Sequence, residues 1–200
     1  MLEQLAKKYG TDKLEHGYIP YYEKYLPKDV KVLLEFGCYK GASAKMWNEY
    51  FQEANIFTFD LFREFDVRNE LNELGITTYK GDTNFISDLE QIERLCDVII
   101  EDASHNSYDQ QFIFIYSMID LLYKESVYVV EDLHCCENPF YWNRGIDKFE
   151  DTFLWLLQNW TPEKGFPENR FLNFYTREYI NHIVKDVKLH DNKIAFIFRK

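Results

Sequence analysis

Apolar residues recur along the chain in two periods. Short runs that stay apolar on both faces predict buried strands: Val30–Gly37, Asn55–Asp60, the run from Asp97 to Glu101, and the run that opens at Ser126. Between them, apolar positions at helical spacing predict helices over Leu2–Tyr9, Ala42–Phe51, Val67–Leu74, Ile86–Arg94, Tyr108–Tyr123 and Gly145–Trp160. Thr77–Lys80 reads as a short strand ended by Gly81 and Asp82, and Pro162, Gly165 and Pro167 make Trp160–Arg170 a loop. Val184–Leu189 and Lys193–Arg199 flank an Asp191-Asn192 turn, a hairpin that closes the sheet with an antiparallel edge. The alternation of strand and helix up to Asp132 is that of an α/β protein with a mostly parallel sheet.

The strands end in acids. Asp97–His105 finishes in Glu101, Asp102 and His105, and Ser126–His134 repeats the design with Glu131, Asp132 and His134. If these strands are parallel neighbours, Asp102, His105, Glu131, Asp132 and His134 share the crevice beyond the strand ends where open α/β sheets bind ligands. Either tip alone reads equally well as a hydrogen-bonded pair or a cap. Val30–Gly37 runs into a turn with Gly37 and Gly41, which lacks the GxGxxG spacing, so NAD is not assigned. Asp60 ends the next strand, where an acid accepts hydrogen bonds from a ribose, although Asp60 and Asp82 each read equally as turn or capping residues. Ahead of the sheet, a helical lead-in of about 28 residues is broken at Gly10 and carries Thr11, Asp12, Lys13, His16, Tyr18, Tyr21 and Tyr22. That set packs aromatics on the sheet or forms a ligand loop.

Composition narrows the function. The 200 residues, 46% of them hydrophobic, suffice for one domain over residues 1–200 with a sizeable core. A net charge of −11 excludes the basic stripe of a nucleic-acid binder, while Lys13 and Arg144 remain as cations for a small anionic ligand. No apolar run approaches a membrane span, and the amino terminus has no apolar signal region. Cys38, Cys96, Cys135 and Cys136 lack zinc spacing, so reduced thiols and a cytoplasmic location are expected.

Four stretches now carry a resemblance: Gly10 to Lys13 with His16 and Tyr18, Leu34 to Gly41, Ile100 to His105, and Val130 to His134. Their order and spacing resemble class I S-adenosylmethionine-dependent methyltransferases. More narrowly, they resemble the metal-dependent sugar O-methyltransferases of macrolide biosynthesis and the related cephalosporin hydroxylase group. The departure is Glu101-Asp102-Ala103, where the family has two aspartates and a glycine. The resemblance implies a Rossmann-like fold, a mostly parallel seven-stranded sheet with helices on both faces and a C-terminal antiparallel hairpin. It implies Mg2+ ligands at Asp102, Glu131 and Asp132, and His105 as general base. It implies S-adenosylmethionine contacts at Thr11, Lys13, Glu35, Gly37, Tyr39, Ser43, Asp60, Asp82 and Asp102.

The chemistry agrees with those residue types. Mg2+ takes hard carboxylate oxygens and keeps open positions, and an imidazole can take a hydroxyl proton near neutral pH. Tyr141 and Trp142 are candidates for stacking on a sugar ring, with His134 beside them. The expected reaction is transfer of a methyl group to the hydroxyl of a small sugar-containing substrate. The large N-terminal extension of the macrolide enzymes has no counterpart, which directs the expectation to a nucleotide-linked or glycoconjugate sugar. A homo-oligomer is expected, since small methyltransferases of this shape often pair to finish their acceptor sites. A different reading makes Asp102, His105 and His134 a facial triad for non-haem iron. A third is a non-catalytic cofactor-binding protein on the same fold.

Overall fold

The computed structural model describes residues 1–200, with strands Val32–Phe36 (β1), Asn55–Asp60 (β2), Thr77–Lys80 (β3), Cys96–Glu101 (β4), Leu122–Val130 (β5), Val184–His190 (β6) and Ile194–Arg199 (β7). They form one seven-stranded sheet in the order β3-β2-β1-β4-β5-β7-β6. The pairs β1–β2 and β2–β3 are parallel, and β7 runs antiparallel to both β5 and β6. The helices are Leu2–Tyr9 (α1), Ile19–Tyr25 (α2), Ala42–Tyr50 (α3), Arg68–Glu73 (α4), Ile86–Leu89 (α5), Ser107–Tyr116 (α6), Phe153–Gln158 (α7) and Phe174–Ile183 (α8). Two compact units emerge, Met1–Ile99 and Ile100–Lys200, with the division inside β4.

In the first unit, β1 buries Leu33, Leu34 and Phe36 completely, as a strand covered on both faces does, with Glu35 as its single buried charge. Its start is fixed by Asp97, whose Oδ2 accepts from the backbone N–H of Lys31 at 2.7 Å and of Val32 at 2.8 Å. Helix α1 ends at Gly10, whose φ of 68° is the left-handed geometry that glycine adopts without steric cost. The aromatic lead-in is core: Tyr18 and Tyr22 are buried, and Tyr22 meets Trp47 edge-on with ring centroids 5.0 Å apart.

In the second unit, the aromatic centre is Phe114, which packs on Tyr128, Phe153 and Phe166 at centroid distances of 5.0 to 5.6 Å. Buried polar side chains tie its elements together. Ser107 Oγ accepts from Phe153 N at 2.7 Å, Gln111 Nε2 donates to Asp151 O at 2.9 Å, and Gln110 Nε2 donates to Glu131 O at 3.0 Å.

Several expected boundaries move. The helix expected to reach Tyr123 stops at Tyr116 and passes through a π-helical turn, Ser117–Leu121, into β5. Leu121, Leu122 and Tyr123 carry the helix's apolar run into the first residues of the strand, so periodicity cannot place that border. The helix expected over Gly145–Trp160 is only α7, preceded by a 3-10 turn at Phe149–Asp151. Thr152 stops the turn by capping α7, its Oγ1 accepting from Trp155 N at 3.3 Å. The helix expected over Ile86–Arg94 is the short α5, and α8 lies in a stretch for which the sequence predicts no element.

Candidate active site

Strands β4 and β5 are neighbours with their ends side by side, Glu131 N donating to Glu101 O at 3.0 Å. Beyond those ends, Asp102, His105 and Asp132 converge, each offering a ligand atom within 4.8 Å of the others. His105 Nδ1 is buried without a hydrogen bond and lies 3.5 Å from Asp132 Oδ2. The two carboxylates are the oxygen donors that a hard divalent cation takes, and the imidazole beside them has a nitrogen free of hydrogen bonds. The residues therefore fit Mg2+.

Local backbone geometry aims these groups. His105 has φ 57° and Asp132 φ 54°, left-handed conformations that non-glycine residues hold only under constraint from their surroundings. The constraint before His105 is a set of short bonds. Glu101 Oε1 accepts from Ala103 N at 3.2 Å, Ser104 Oγ donates to Asp109 Oδ2 at 2.7 Å, and Asn106 N donates to Ser104 Oγ at 3.3 Å. After Asp132, Leu133 N donates to Lys193 O at 2.9 Å, so the β6–β7 turn braces the segment.

Glu101 itself is fully buried. Burial pushes its carboxyl up to about 8, with the neighbouring acids Asp102, Asp109 and Asp132 acting in the same direction. The longer side chain at the departure Glu101-Asp102-Ala103 is thus turned inward and leaves the donor group to Asp102. Glu131 is also buried and stands outside the three-residue group. His134 is half-exposed, its Nδ1 3.9 Å from Asp132 Oδ1, and it too stands outside the group. The group that assembles has one histidine and two carboxylates, a poorer match to a two-histidine iron triad than to a hard cation.

In the first unit, the turn after β1 is held from both sides. Asp60 Oδ2 accepts from Cys38 N at 2.6 Å and Tyr39 N at 3.3 Å, and its Oδ1 accepts from Phe62 N at 2.7 Å. Gly37 in this turn has φ 92°. Glu35, fully buried, pairs with the fully buried Lys13 at 3.3 Å and accepts from Ser43 Oγ at 2.6 Å and Trp47 Nε1 at 3.2 Å. Thr11, 5% exposed, is buried alongside this lead-in. Asp82 accepts from the backbone and side-chain nitrogens of Asn84, both at 3.0 Å. Tyr39 is exposed, with φ 46°, and meets the ring of Phe65 edge-on at 4.9 Å under the ammonium of Lys40. Burial pushes the Cys38 thiol in the same turn up to about 12.

In the segment after β5, Trp142 is fixed by its indole N–H, which donates to Cys136 O at 2.7 Å, and Tyr141 meets the exposed Phe140 edge-on at 5.3 Å. Two aromatic residues not singled out in the sequence join these regions: Phe65 against Tyr39, and Tyr108, which meets Phe171 edge-on at 5.3 Å. Only the position of Tyr108, three residues after His105, pointed towards it.

No family model matches the chain. It is 32% identical over 183 residues to 8-demethyl-8-(2-methoxy-alpha-L-rhamnosyl)-tetracenomycin-C 3'-O-methyltransferase from Streptomyces olivaceus, covering 84% of this chain and 46% of that protein. Among solved structures, MycE methyltransferase from the mycinamycin biosynthetic pathway, in complex with Mg, SAH and mycinamycin VI, superposes with a TM-score of 0.79 at 23% identity. That match covers 99% of this chain and 53% of MycE. A cmcI structure with Mg and SAM gives 0.54 at 13% identity, covering 92% of this chain and 71% of cmcI. The chain spans about half the length of the sugar methyltransferase and of MycE. With the sheet order and the matched structures together, the chain has the Rossmann-like methyltransferase fold, and its sequence is similar to that of a sugar O-methyltransferase.

Proposed function

We propose that this chain is an S-adenosylmethionine-dependent, Mg2+-dependent O-methyltransferase that acts on a sugar hydroxyl. The observation that carries the reading is the convergence of Asp102, His105 and Asp132 within 4.8 Å beyond neighbouring strand ends. The similarity to a sugar O-methyltransferase and to Mg- and SAH-bound MycE supports it. In this reading residues 1–200 act as one catalytic domain, supported by a unit division that falls inside β4 and not in a linker.

Asp102 and Asp132 would hold the cation, with Glu131 at the same strand end as the third carboxylate. A bound Mg2+ supplies Lewis acidity that lowers the pKa of a coordinated hydroxyl. His105 takes the hydroxyl proton, with Asp132 beside its Nδ1 to orient the ring and stabilise the imidazolium. S-adenosylmethionine, when bound, would supply the methyl group to the acceptor oxygen, its sulfur keeping the electron pair of the broken carbon–sulfur bond as S-adenosylhomocysteine. Holding the acceptor and the cofactor in place would be the larger part of the protein's contribution.

For the cofactor, the turn from Gly37 to Gly41 is the proposed seat, with Tyr39, Ser43, Asp60 and Asp82 of the same unit as its contacts. Thr11, Lys13 and Glu35 act from beneath, since the Lys13–Glu35 pair is fully buried. The substrate is read as a small sugar-containing molecule, with Tyr141, Trp142 and His134 towards the acceptor, and not nucleic acid, in keeping with the net charge of −11. Four free cysteines support a reducing, cytoplasmic compartment, and no helix is long and apolar enough to cross a membrane.

The test is calorimetric titration of S-adenosylmethionine into chelator-treated protein, with and without Mg2+, on wild type and Asp60→Ala. A micromolar Kd, about −8 kcal/mol, that weakens in Asp60→Ala is expected. Methyl transfer to sugar acceptors that stops on chelation completes the reading, and absence of cofactor binding under every condition defeats it.

A further inference from the structure

Of the chain's 23 basic residues, Lys13 and Arg144 are the two expected to serve an anionic handle, and their surroundings differ. Lys13 is spent on Glu35 inside the protein. Arg144 is exposed, has no carboxylate partner, and sits with its guanidinium 5.4 Å from the centroid of the Tyr108 ring. The neighbouring cation Arg170 is itself taken, donating to Gly145 O at 2.5 Å and pairing with Asp147 at 2.9 Å.

The backbone beneath Arg144 is built at a cost. Ile146 N donates to Asn143 O at 3.1 Å, closing a four-residue turn whose central residues, Arg144 at φ 49° and Gly145 at φ 89°, both have positive φ. Turns of that kind favour Asn, Asp or Gly at the first central position, and an arginine there is strained. Asn143 Oδ1, in the same turn, is buried with no hydrogen-bond partner. The turn follows directly on Tyr141 and Trp142, and the ring that supports the guanidinium belongs to Tyr108, three residues after His105. A strained arginine, free of counter-ions and held on an aromatic face, is pre-organised for a charge-assisted contact.

We propose that Arg144 is a specificity-determining residue that receives the phosphate of a phosphorylated sugar acceptor. The inference rests on the sugar O-methyltransferase reading for its reaction, and on the turn's own geometry for its binding. A planar guanidinium offers two parallel donors to phosphate oxygens, which a neutral glycoside cannot use.

The experiment measures calorimetric binding of dTDP-rhamnose, rhamnose 1-phosphate and methyl rhamnoside to wild type, Arg144→Asn and Arg144→Lys, each with Mg2+ and S-adenosylhomocysteine. Turnover is then followed with S-adenosylmethionine. Asn is used because it tolerates the left-handed backbone, and unchanged melting temperatures establish that the turn is intact. Wild type is expected to bind at least one phosphorylated sugar about tenfold more tightly than methyl rhamnoside. Arg144→Asn removes that preference, and Arg144→Lys keeps part of it. A preference for both phosphorylated ligands assigns the contact to phosphate alone, and a preference for dTDP-rhamnose alone assigns it to the nucleotide diphosphate. Equal binding of charged and neutral sugars by wild type, or a preference that survives in Arg144→Asn, overturns the proposal. Arg144-dependent binding without methyl transfer to any acceptor would leave the anion subsite standing and defeat the reaction instead.

Discussion

At the scale of single residues, the molecule commits charge to its interior beneath the turn after β1. The Lys13–Glu35 pair is fully buried, and Glu35 also accepts from Ser43 and Trp47. Removing one partner of such a pair strands the other in a low-dielectric site, so Lys13→Met should cost about 3–5 kcal/mol of stability in urea denaturation. The double variant Lys13→Met with Glu35→Gln should be more stable than Lys13→Met alone, and equal stability of the two would contradict the pairing. The buried thiols give a pH prediction. Cys38 and Cys96 are each pushed up to about 12 by burial, so they stay protonated in the folded protein while an unfolded chain ionises them near 9. Their contribution is undiminished below pH 9 and is lost as pH rises from 9 towards 12, because there the unfolded state has released protons the folded state still holds. Replacing both with alanine should flatten that part of the alkaline denaturation profile, read by circular dichroism. Thiolate absorbance in the folded wild type should lag that of the unfolded chain.

At the scale of elements, close packing at strand ends sets what each turn tolerates. A Cβ on Gly81, after β3, would lie 2.6 Å from Phe59 Cζ and 2.8 Å from Asp88 Cβ. Gly81→Ala is therefore expected to destabilise by about 1–3 kcal/mol, measured by thermal melting. A wild-type melting temperature would show that Phe59 and α5 yield freely. Strands and their acidic tips were legible in sequence, because a run apolar on both faces has few other solutions: β2 and β3 occupy the residues expected, and β1, β4, β6 and β7 lie within a few residues of theirs. The helices on the second unit were less legible. Thr152 interrupts an apolar stripe by capping α7, and the π-helical turn before β5 has an apolar pattern indistinguishable from its neighbours.

At the scale of the whole molecule, Phe174 and Tyr175 leave aromatic surface in solvent, 58% and 84% exposed. The expectation of a homo-oligomer finds a candidate surface there. Sedimentation velocity should show a species larger than one chain, shifted towards the monomer by Phe174→Ser with Tyr175→Ser, and a wild-type monomer would rule this out.

The sequence by itself determined which strands are buried and which carry acids at their ends, since both follow from local pattern. It also placed Asp102, His105 and Asp132 at those ends. Tertiary structure decided which polar groups meet. Glu101 turns inward while Asp102 joins the cluster, Lys13 is consumed by Glu35 while Arg144 stays available on Tyr108, and Asp60 accepts from the backbone of the turn after β1, the turn-residue reading that the sequence held level with a ribose contact. The reason is physical: apolar burial is written in the period of a segment, whereas a hydrogen bond or ion pair depends on a partner that the fold brings from far along the chain.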